Sequence, residues 1–338
     1  MLRLPAFEYV APASVSEALE LLAAPGRRAR LLAGGTDLIP NLKHGIEEAD
    51  LVVSLQRVAE LRGIEATADG GLRIGAMTAL EDVARHPLVR QRYRSLGQAA
   101  GLVAGPHHRR MGTIGGNVCL NTRCVYINQT YFWREALGFC LKKDGDVCHV
   151  VKGGKRCVAA ASNDTAPPLM TFGARLVIAS AARGEREVRL GEFFVKDGVY
   201  NKVLQSDELL VAVIVPAAAS ATRSAYAKLR PRGSIDFPRV GVAVAFRIGG
   251  AEGFSALAGE AVVSDMGVVV TALAAVPQEL REVGEIAEGK VPGEALWDEV
   301  AASAYKQCHP LTNIDGDPTY RREMVAVMVK RACREAAG

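Results

Sequence analysis

Two Gly-Gly turns constrain the fold of this chain more than any other feature of its sequence. They lie in "AGGTDL", residues 33–38, and in "TIGGN", residues 113–117, and each has a hydroxyl or amide side chain beside the glycines. Paired glycines let consecutive backbone N–H groups converge on an anion, because no Cβ blocks the approach. Two such turns in one domain predict a grip on both phosphates of a dinucleotide, although each alone is equally typical of an ordinary tight turn.

Neither turn has the spacing of the common nucleotide motifs. They are not G-x-G-x-x-G fingerprints, and the chain has no G-x-x-x-x-G-K-[ST] segment, which argues against a Rossmann or P-loop site. The flanking pattern instead predicts a β-α-β opening, with a helix that begins at the capping-box pair Ser14 and Glu17. Alternating strands follow, and the tail predicts one strand and then three helices. The small-residue stretch "PAAASAT" predicts a domain boundary near residue 218.

Charge and hydropathy exclude several classes of protein. A net charge of +4, with Lys and Arg spread along 338 residues, does not indicate a nucleic-acid partner. No apolar run reaches the length of a membrane span, and the N-terminus lacks the apolar core and cleavage site of an export signal. We therefore expect a cytoplasmic protein, in which the seven cysteines are thiols or metal ligands and not disulfides.

Four of those cysteines lie in one polar, glycine-broken segment. Cys124, Cys140, Cys148 and Cys157 are separated by sixteen, eight and nine residues. No C-x-x-C pair is present, as a zinc ribbon would have. Four thiolates from one loop suit the soft core of an iron–sulfur cluster, so the residues favour that site over zinc or unliganded thiols without excluding either.

Four segments of the chain together resemble one family. "LLAGGTDLIP", "GTIGGN", "SNDTAPPLMTFGARLVI" and "GDPTYRREMVAVMVKRA" occur in the same order in the FAD-binding subunits of the molybdenum hydroxylases, the xanthine dehydrogenase and carbon monoxide dehydrogenase group. The resemblance covers essentially the whole chain. It implies an α+β protein: a two-subdomain FAD-binding domain of the vanillyl-alcohol-oxidase (PCMH-like) type, followed by a small C-terminal α+β domain with a helical cluster.

The same resemblance implies domain bounds and cofactor-binding residues. The FAD-binding domain would span 1–218, with subdomains of about 1–57 and 58–218 and an inserted loop at 120–160, and the C-terminal domain would span 219–338. Asp164 would hydrogen-bond the FAD chain, Leu210 would pack near the flavin, and Lys228 would lie beside it. The family often has Arg-Asn before the second turn, where this chain has Arg109-Arg110. The resemblance therefore does not assign a role to Arg110. The residues implied to line the pyrophosphate and flavin are Leu32, Ala33, Gly34, Gly35, Thr36, Asp37, Thr113, Gly115, Gly116 and Asn117.

The cysteine insertion is itself similar to that of the β subunits of 4-hydroxybenzoyl-CoA reductases. That resemblance implies a 4Fe–4S cluster on Cys124, Cys140, Cys148 and Cys157. It also implies a flow of electrons from a ferredoxin-like donor through 4Fe–4S and FAD to 2Fe–2S clusters and molybdenum on partner subunits. The implied assembly is a dimer of heterotrimers. The reaction would be the reductive dehydroxylation of 4-hydroxybenzoyl-CoA to benzoyl-CoA. Two alternatives stay open: the FAD subunit of a hydroxylase that oxidises another heteroaromatic or aldehyde, and a non-catalytic scaffold stabilised by zinc.

Other residues of the insertion have expected roles. Tyr131, Phe132 and Trp133 are expected to shield a cluster from water. An excess of cations is expected to steer an acidic ferredoxin, with an ordinary solvated loop as the alternative. The charged residues are Arg134, Lys142, Lys143, Lys152, Lys155 and Arg156 against Glu135, Asp144 and Asp146.

The remaining reactive side chains indicate no catalytic group. The chain has no Ser-His-Asp order, no paired catalytic carboxylates and no His-rich centre, so bond-making chemistry is expected on a partner subunit. Cys119, Cys308 and Cys333 are expected to be packing residues. We expect His107, His108 and His149 to be exposed or satisfied by hydrogen bonds.

Overall fold

The computed structural model describes residues 2–219, 221–249 and 261–338. The strands are β1 (Glu8–Val10), β2 (Ala29–Leu32), β3 (Leu51–Ser54), β4 (Ile64–Ala66), β5 (Leu72–Gly75), β6 (Arg175–Ser180), β7 (Gly184–Arg189), β8 (Glu208–Val215), β9 (Thr222–Leu229), β10 (Val240–Gly249), β11 (Val262–Thr271) and β12 (Gln278–Glu279). The helices are α1 (Val15–Ala23), α2 (Leu38–Lys43), α3 (Leu80–Arg85), α4 (Pro87–Arg92), α5 (Arg94–Leu102), α6 (Pro106–Met111), α7 (Ile114–Val118), α8 (Tyr131–Ala136), α9 (Ala166–Thr171), α10 (Leu190–Phe193), α11 (Glu282–Ala287), α12 (Glu294–Gln307) and α13 (Pro318–Ala337).

The chain opens with a small parallel sheet, in the order β1-β3-β2. Ser14 caps α1 by accepting a hydrogen bond from Glu17 N, as the capping box predicts, while the Glu17 carboxylate accepts from Ala13 N instead of Ser14 N. β3 is buried throughout, which suits the central strand of a sheet. The first glycine turn follows β2 directly, so the end of this sheet positions it.

An antiparallel sheet in the order β4-β5-β8-β6-β7 forms the second layer. β8 lies at its centre, and its apolar residues face two cores. One core contains Leu210 and Val213 and packs on α3, α5 and α9, while the other contains Leu209 and Val211 and packs on the first sheet. The second sheet therefore packs on helices with one face of β8 and on the first sheet with the other, which fixes the two sheets relative to each other.

The C-terminal part combines a third sheet with the helical tail. The sheet has the order β12-β11-β10-β9, and α11, α12 and α13 bury their apolar faces on it. Cys308 and Cys333 are fully buried in this core, which confirms the expectation that they are packing residues. Strand β9 also contacts α5, since Ser95 N donates to Ser224 Oγ and Tyr226 N donates to Gln98 Oε1. The fold class expected from the resemblance is confirmed.

The cysteine insertion runs between α7 and α9 and has α8 as its one helix within the described residues. It is attached to both neighbouring parts of the fold. Arg134 Nη2 donates to the carbonyls of His44 and Gly45 at the end of α2, and Asn313 Nδ2 donates to Val158 O at 2.7 Å. Across the described ranges, no helix is both long and apolar enough to cross a membrane.

Candidate functional site

A cavity of about 380 Å³ lies between the parallel sheet, the segment that follows β5 and the end of α6. This volume is within the usual range for sites that bind cofactors or other small molecules. Five of the residues implied by the family resemblance line it: Leu32, Ala33, Gly34, Gly35 and Thr113. The fold therefore brings the first glycine turn and the start of the second one to the same cavity, although about eighty residues of sequence separate them.

The first glycine turn approaches the second through Gly34. A Cβ on Gly34 would lie 1.8 Å from Met111 O and 2.9 Å from Gly112 N, so no larger residue fits there. Gly35 has a φ of +72°, which favours glycine. Among the described residues, none accepts a hydrogen bond from the backbone N–H groups of Gly34, Gly35 or Thr36. This turn therefore has free donors at the cavity, as an anion site requires.

The second glycine segment differs from the predicted anion turn. It is the beginning of α7, and Thr113 caps that helix by accepting a hydrogen bond from Gly116 N at 3.0 Å. Gly115 N donates to Ala76 O, and a Cβ on Gly115 would lie 2.7 Å from Ala76 Cβ. The N–H groups of both glycines are thus used inside the protein. Glycine is needed here for close packing, which holds Thr113 at the cavity.

A buried polar network lies behind α7. Asn117 Oδ1 accepts hydrogen bonds from Thr165 N at 3.0 Å and from Thr165 Oγ1 at 2.7 Å. The neighbouring Asp164 accepts from Tyr226 Oη at 2.7 Å and from Lys228 Nζ at 3.0 Å. The structure therefore joins Asp164 to Lys228 directly, which the sequence did not predict. Neither residue lines the cavity, and Leu210 is buried in the core of the second sheet instead.

The Asp164–Lys228 pair is almost entirely withdrawn from water, with side-chain exposures of 3% and 1%. Burial raises the pKa of Asp164 and lowers that of Lys228, and the attraction between the two charges opposes both shifts. A buried pair of this kind is costly to break, because removal of one partner leaves the other charge uncompensated.

We therefore expect Lys228→Met to destabilise the full chain by about 3–5 kcal/mol, the usual cost of breaking a buried ion pair. Urea unfolding measures this change. The control is Arg334→Met, which removes an equally well-formed pair with Glu294 on an exposed surface and should change stability little. Equal effects of the two substitutions would contradict a structural role for the Asp164–Lys228 pair.

Two cavity-lining arginines were not identified from the sequence as site residues. Arg62 and Arg110 both line the cavity, and guanidinium groups are suited to the oxygens of a phosphate. Arg110 lies three residues before Thr113, so its position beside the second glycine segment was the available signal. Arg62 follows a short 3-10 helix (Ala59–Leu61) and carries no motif that distinguishes it from other surface arginines.

The four cysteines of the insertion line a second, small cavity of about 20 Å³. All four are buried, and none forms a disulfide. In the part of the chain that the structure describes, no three His, Cys, Asp or Glu side chains are arranged to hold a single metal ion. The thiols therefore surround a shared space without converging on one point. The cavity-lining cysteines are Cys124, Cys140, Cys148 and Cys157.

Burial affects the ionisation of these thiols. It raises the pKa of Cys124 to about 11 and also raises that of Cys157, where the charge of Lys142 acts in the opposite direction. Metal ligation requires thiolates, so an electropositive metal centre would have to compensate for the burial. His149 lines the same cavity, but its Nε2 lies 2.6 Å from Phe139 O, so it is satisfied by a hydrogen bond, as expected.

The aromatic run of the insertion does not shield this cavity. Tyr131, Phe132 and Trp133 do not line it, and Phe132 is 79% exposed. They lie on α8, whose buried contact with the rest of the protein is made by Arg134. The apolar wall is formed instead by residues nearer the cysteines in sequence, such as Tyr126 and Ile127. The expected shielding role of the three aromatic residues is therefore wrong.

The predicted basic surface of the insertion is also smaller than its sequence suggests. Arg134 is 2% exposed, and Lys142 donates hydrogen bonds inside the protein. Lys143 pairs with Glu48 at 2.7 Å. The exposed cations that remain are Lys152, Lys155 and Arg156, between the third and fourth cysteines.

Arg123 links the segments that form the two cavities. Arg123 precedes Cys124, and its guanidinium pairs with Asp37, which follows the first glycine turn. Its backbone exchanges hydrogen bonds with Ala160, at 2.8 Å and 2.7 Å. The cysteine insertion is thus anchored directly to the segment that carries the free N–H groups of the first cavity.

Comparisons with known proteins assign the chain to a family. The FAD-binding domain family of molybdopterin dehydrogenases matches residues 5–218, and the C-terminal domain family of carbon monoxide dehydrogenase flavoproteins matches residues 224–336. The carbon monoxide dehydrogenase medium chain of Hydrogenophaga pseudoflava is 32% identical, over 98% of this chain and 97% of that protein. A putative xanthine dehydrogenase FAD-binding subunit of Escherichia coli is 26% identical, over 97% and 95%.

Solved structures agree with this assignment. The carbon monoxide dehydrogenase from Hydrogenophaga pseudoflava that lacks the Mo-pyranopterin moiety superposes with a TM-score of 0.78, at 29% identity, over 99% of this chain and 98% of that one. The chain belongs to the FAD-binding subunit family of the molybdenum hydroxylases, the xanthine dehydrogenase and carbon monoxide dehydrogenase group, and is an FAD-binding oxidoreductase subunit.

Proposed function

We propose that this chain is the electron-transfer subunit of a molybdenum-dependent reductase and holds a 4Fe–4S cluster in addition to FAD. The observation that carries the proposal is the set of four buried thiols around one cavity, in an insertion anchored to the flavin-binding turn by Arg123 and Asp37. Bound FAD and a bound cluster would supply the one-electron and two-electron redox chemistry that amino-acid side chains lack.

In the flavin site, the chain's own residues bind and orient the cofactor. Gly34, Gly35 and Thr36 would direct their free N–H groups at the diphosphate, and Arg62 and Arg110 would balance its charge. Leu32 and Ala33 would form the apolar wall, and Thr113 would contribute its backbone. The fit rests on the cavity volume, the unused donors and the two lining arginines.

Four of the proposed flavin-site residues would have a structural role, in which they hold other parts of the site in place. Asp37 would hold the turn through Arg123, while Gly115, Gly116 and Asn117 would fix α7 against β5 and the Asp164 segment. Asp164, Leu210 and Lys228 also lie outside the cavity lining and would act from the outer side of the site.

At the cluster site, the arrangement of sulfurs supports iron–sulfur over zinc. Zinc in a structural site binds four ligands tetrahedrally at about 2.3 Å from one ion, which forces the sulfurs close together. A 4Fe–4S cluster has a separate iron for each thiolate and so needs the sulfurs spread around a larger space. The four thiols share a cavity, yet no three of them are arranged around a single ion in the described residues. This geometry counts against the zinc-stabilised scaffold.

For the complete enzyme, we propose the reduction of 4-hydroxybenzoyl-CoA to benzoyl-CoA, with electrons that enter from a ferredoxin-like donor and continue to 2Fe–2S clusters and molybdenum on partner subunits. The sequence of the insertion supports this substrate, and the names of the relatives support a multi-subunit assembly. A second candidate is the oxidation of another substrate with the electron flow reversed. It is supported by relatives named for nicotinate, glyceraldehyde and carbon monoxide dehydrogenases.

An assay of the anaerobically purified complex separates these two candidates. We expect benzoyl-CoA to form from 4-hydroxybenzoyl-CoA when a chemically reduced low-potential donor is present. The control is the same complex with xanthine or an aldehyde and an electron acceptor. Turnover in the control, with no benzoyl-CoA in the first assay, would contradict the proposed substrate but would leave the FAD-subunit assignment intact.

The remaining parts of the proposal concern organisation. Domains of 1–218 and 219–338 are supported by the matched ranges 5–218 and 224–336. A dimer of heterotrimers is proposed for the assembly.

A docking role for the cations of the insertion now depends on Lys152, Lys155 and Arg156, because the other three are buried or paired. The cytoplasmic location stays a prediction from the sequence.

A further inference from the structure

Lys142 is a half-buried cation at the wall of the four-cysteine cavity. Its ammonium group donates hydrogen bonds to Asn121 Oδ1 at 2.9 Å, Thr122 Oγ1 at 2.6 Å and Gly198 O at 2.5 Å. A lysine has three donors, so all of them are used. All three acceptors are neutral oxygens, so the side chain is held firmly in place without a direct ion pair. The charge of Glu47, whose carboxylate accepts from Asn121 Nδ2, acts on the ammonium only from beyond direct contact.

The absence of a carboxylate partner distinguishes Lys142 from its neighbour. Lys143 pairs with Glu48 at 2.7 Å and Asp144 at 3.3 Å. Among the described residues, no Asp or Glu oxygen lies within 4.0 Å of Lys142 Nζ, although a buried charge is costly unless it is paired. The arrangement indicates that the counter-charge belongs to something that occupies the cavity.

One site for such a counter-charge is the sulfur of Cys157. Gly198 lies between the two groups: its carbonyl accepts from Lys142, and its N–H donates to Cys157 O at 2.8 Å. A Cβ on Gly198 would lie 2.7 Å from Cys157 Sγ, so the sulfur packs directly on the residue that holds the ammonium. Four thiolates on a cluster would supply negative charge at this point.

We infer that Lys142 is a fixed charge-balancing residue that raises the reduction potential of the cluster held by the four cysteines. This inference rests on the proposed 4Fe–4S site. Reduction adds an electron to a centre that its thiolate ligands already make negative, so a cation held nearby stabilises the reduced form more than the oxidised one. Because the site is removed from water, the attraction is screened less than it would be at the surface.

The inference is tested by redox titration of the full chain, followed by electron paramagnetic resonance, for the wild type, Lys142→Met and Lys142→Gln. We expect both variants to bind about four irons and to lower the reduced-to-oxidised ratio at a fixed potential at least tenfold, equivalent to about 59 mV for one electron. All three acceptors keep a hydrogen-bond partner, since Thr122 N still donates to Asn121 Oδ1 and Thr122 Oγ1 still donates to Gly198 O.

The matched control is Lys152→Met, which removes the same charge from an exposed position of the same insertion. It should leave the ratio within about twofold, because water and salt screen a surface charge. An unchanged reduction potential in the Lys142→Gln protein would show that the charge of Lys142 does not affect that potential, and would overturn the inference.

Iron content separates this inference from the proposed function. Variants with about four irons and an unchanged potential would contradict the role of Lys142 and leave the cluster site standing. A wild-type chain without iron would contradict the cluster itself. Lys142→Met and Lys142→Gln could also lose their iron, in which case Lys142→Arg is the deciding variant. Iron in Lys142→Arg would support the need for a cation at this position, and its absence there would contradict that need.

Discussion

Gly34→Ala is expected to abolish stable FAD binding while most of the fold is retained. The new methyl group would lie 1.8 Å from the backbone oxygen of Met111 and 2.3 Å from its carbonyl carbon. A backbone group cannot rotate away, so the two segments that meet at the cavity must separate. Overpacking of this kind costs about 1–3 kcal/mol or more, and we expect it to weaken FAD binding more than tenfold.

Absorbance of the desalted protein gives the ratio of FAD to protein, and a titration of the apoprotein gives the dissociation constant. Gly101→Ala is the matched control, since its Cβ would meet nothing closer than Ala84 Cβ at 3.7 Å, and it should retain FAD. A Gly34→Ala protein with a full complement of FAD at wild-type affinity would contradict the close contact on which the flavin site depends.

Cys148→Ser is expected to remove the iron of the proposed cluster and to leave FAD in place. Serine is a poor ligand for the soft irons of a cluster, and three thiols hold a cubane incompletely. The cavity proposed for FAD is lined by none of the four cysteines. Retention of FAD follows because the anchors of the insertion, Arg123 on Asp37 and Arg134 on His44, do not involve Cys148.

Iron and flavin measured on the same anaerobic sample give both results. Cys333→Ala is the control, because it removes a fully buried thiol from the core of the C-terminal part, far from the cavity in sequence, and should leave the iron unchanged. Loss of FAD together with iron in Cys148→Ser would mean that the loop supports the flavin site structurally. Unchanged iron would mean that Cys148 is not a ligand.

The features that could be predicted from the sequence are those that local chemistry determines. The capping residue Ser14, the alternating strands and the three-helix tail all follow from periodicity and end signals within short windows. The first glycine turn was also predictable as a turn, because paired glycines mark it locally. The contact with Met111 that excludes a larger residue at Gly34 was not predictable, because Met111 is distant in sequence. The order of motifs then identified the family and its fold.

The features that could not be predicted depend on how distant segments pack. The N–H groups of Gly115 and Gly116 are consumed by the cap and by Ala76, a residue that the sequence places forty positions away. Arg134 and Lys142 look like surface cations, but the end of α2 and the segment near Gly198 bury them. The aromatic residues of α8 are exposed because Arg134, a charged residue of the same helix, makes the buried contact.

The central claim is that this flavoprotein subunit also carries an iron–sulfur cubane on its four clustered cysteines. The most direct measurement is the amount of iron, acid-labile sulfide and FAD in the full chain produced and purified without oxygen. The account predicts one FAD with about four irons and four sulfides per chain. A yellow protein with its full FAD and neither iron nor sulfide would contradict it.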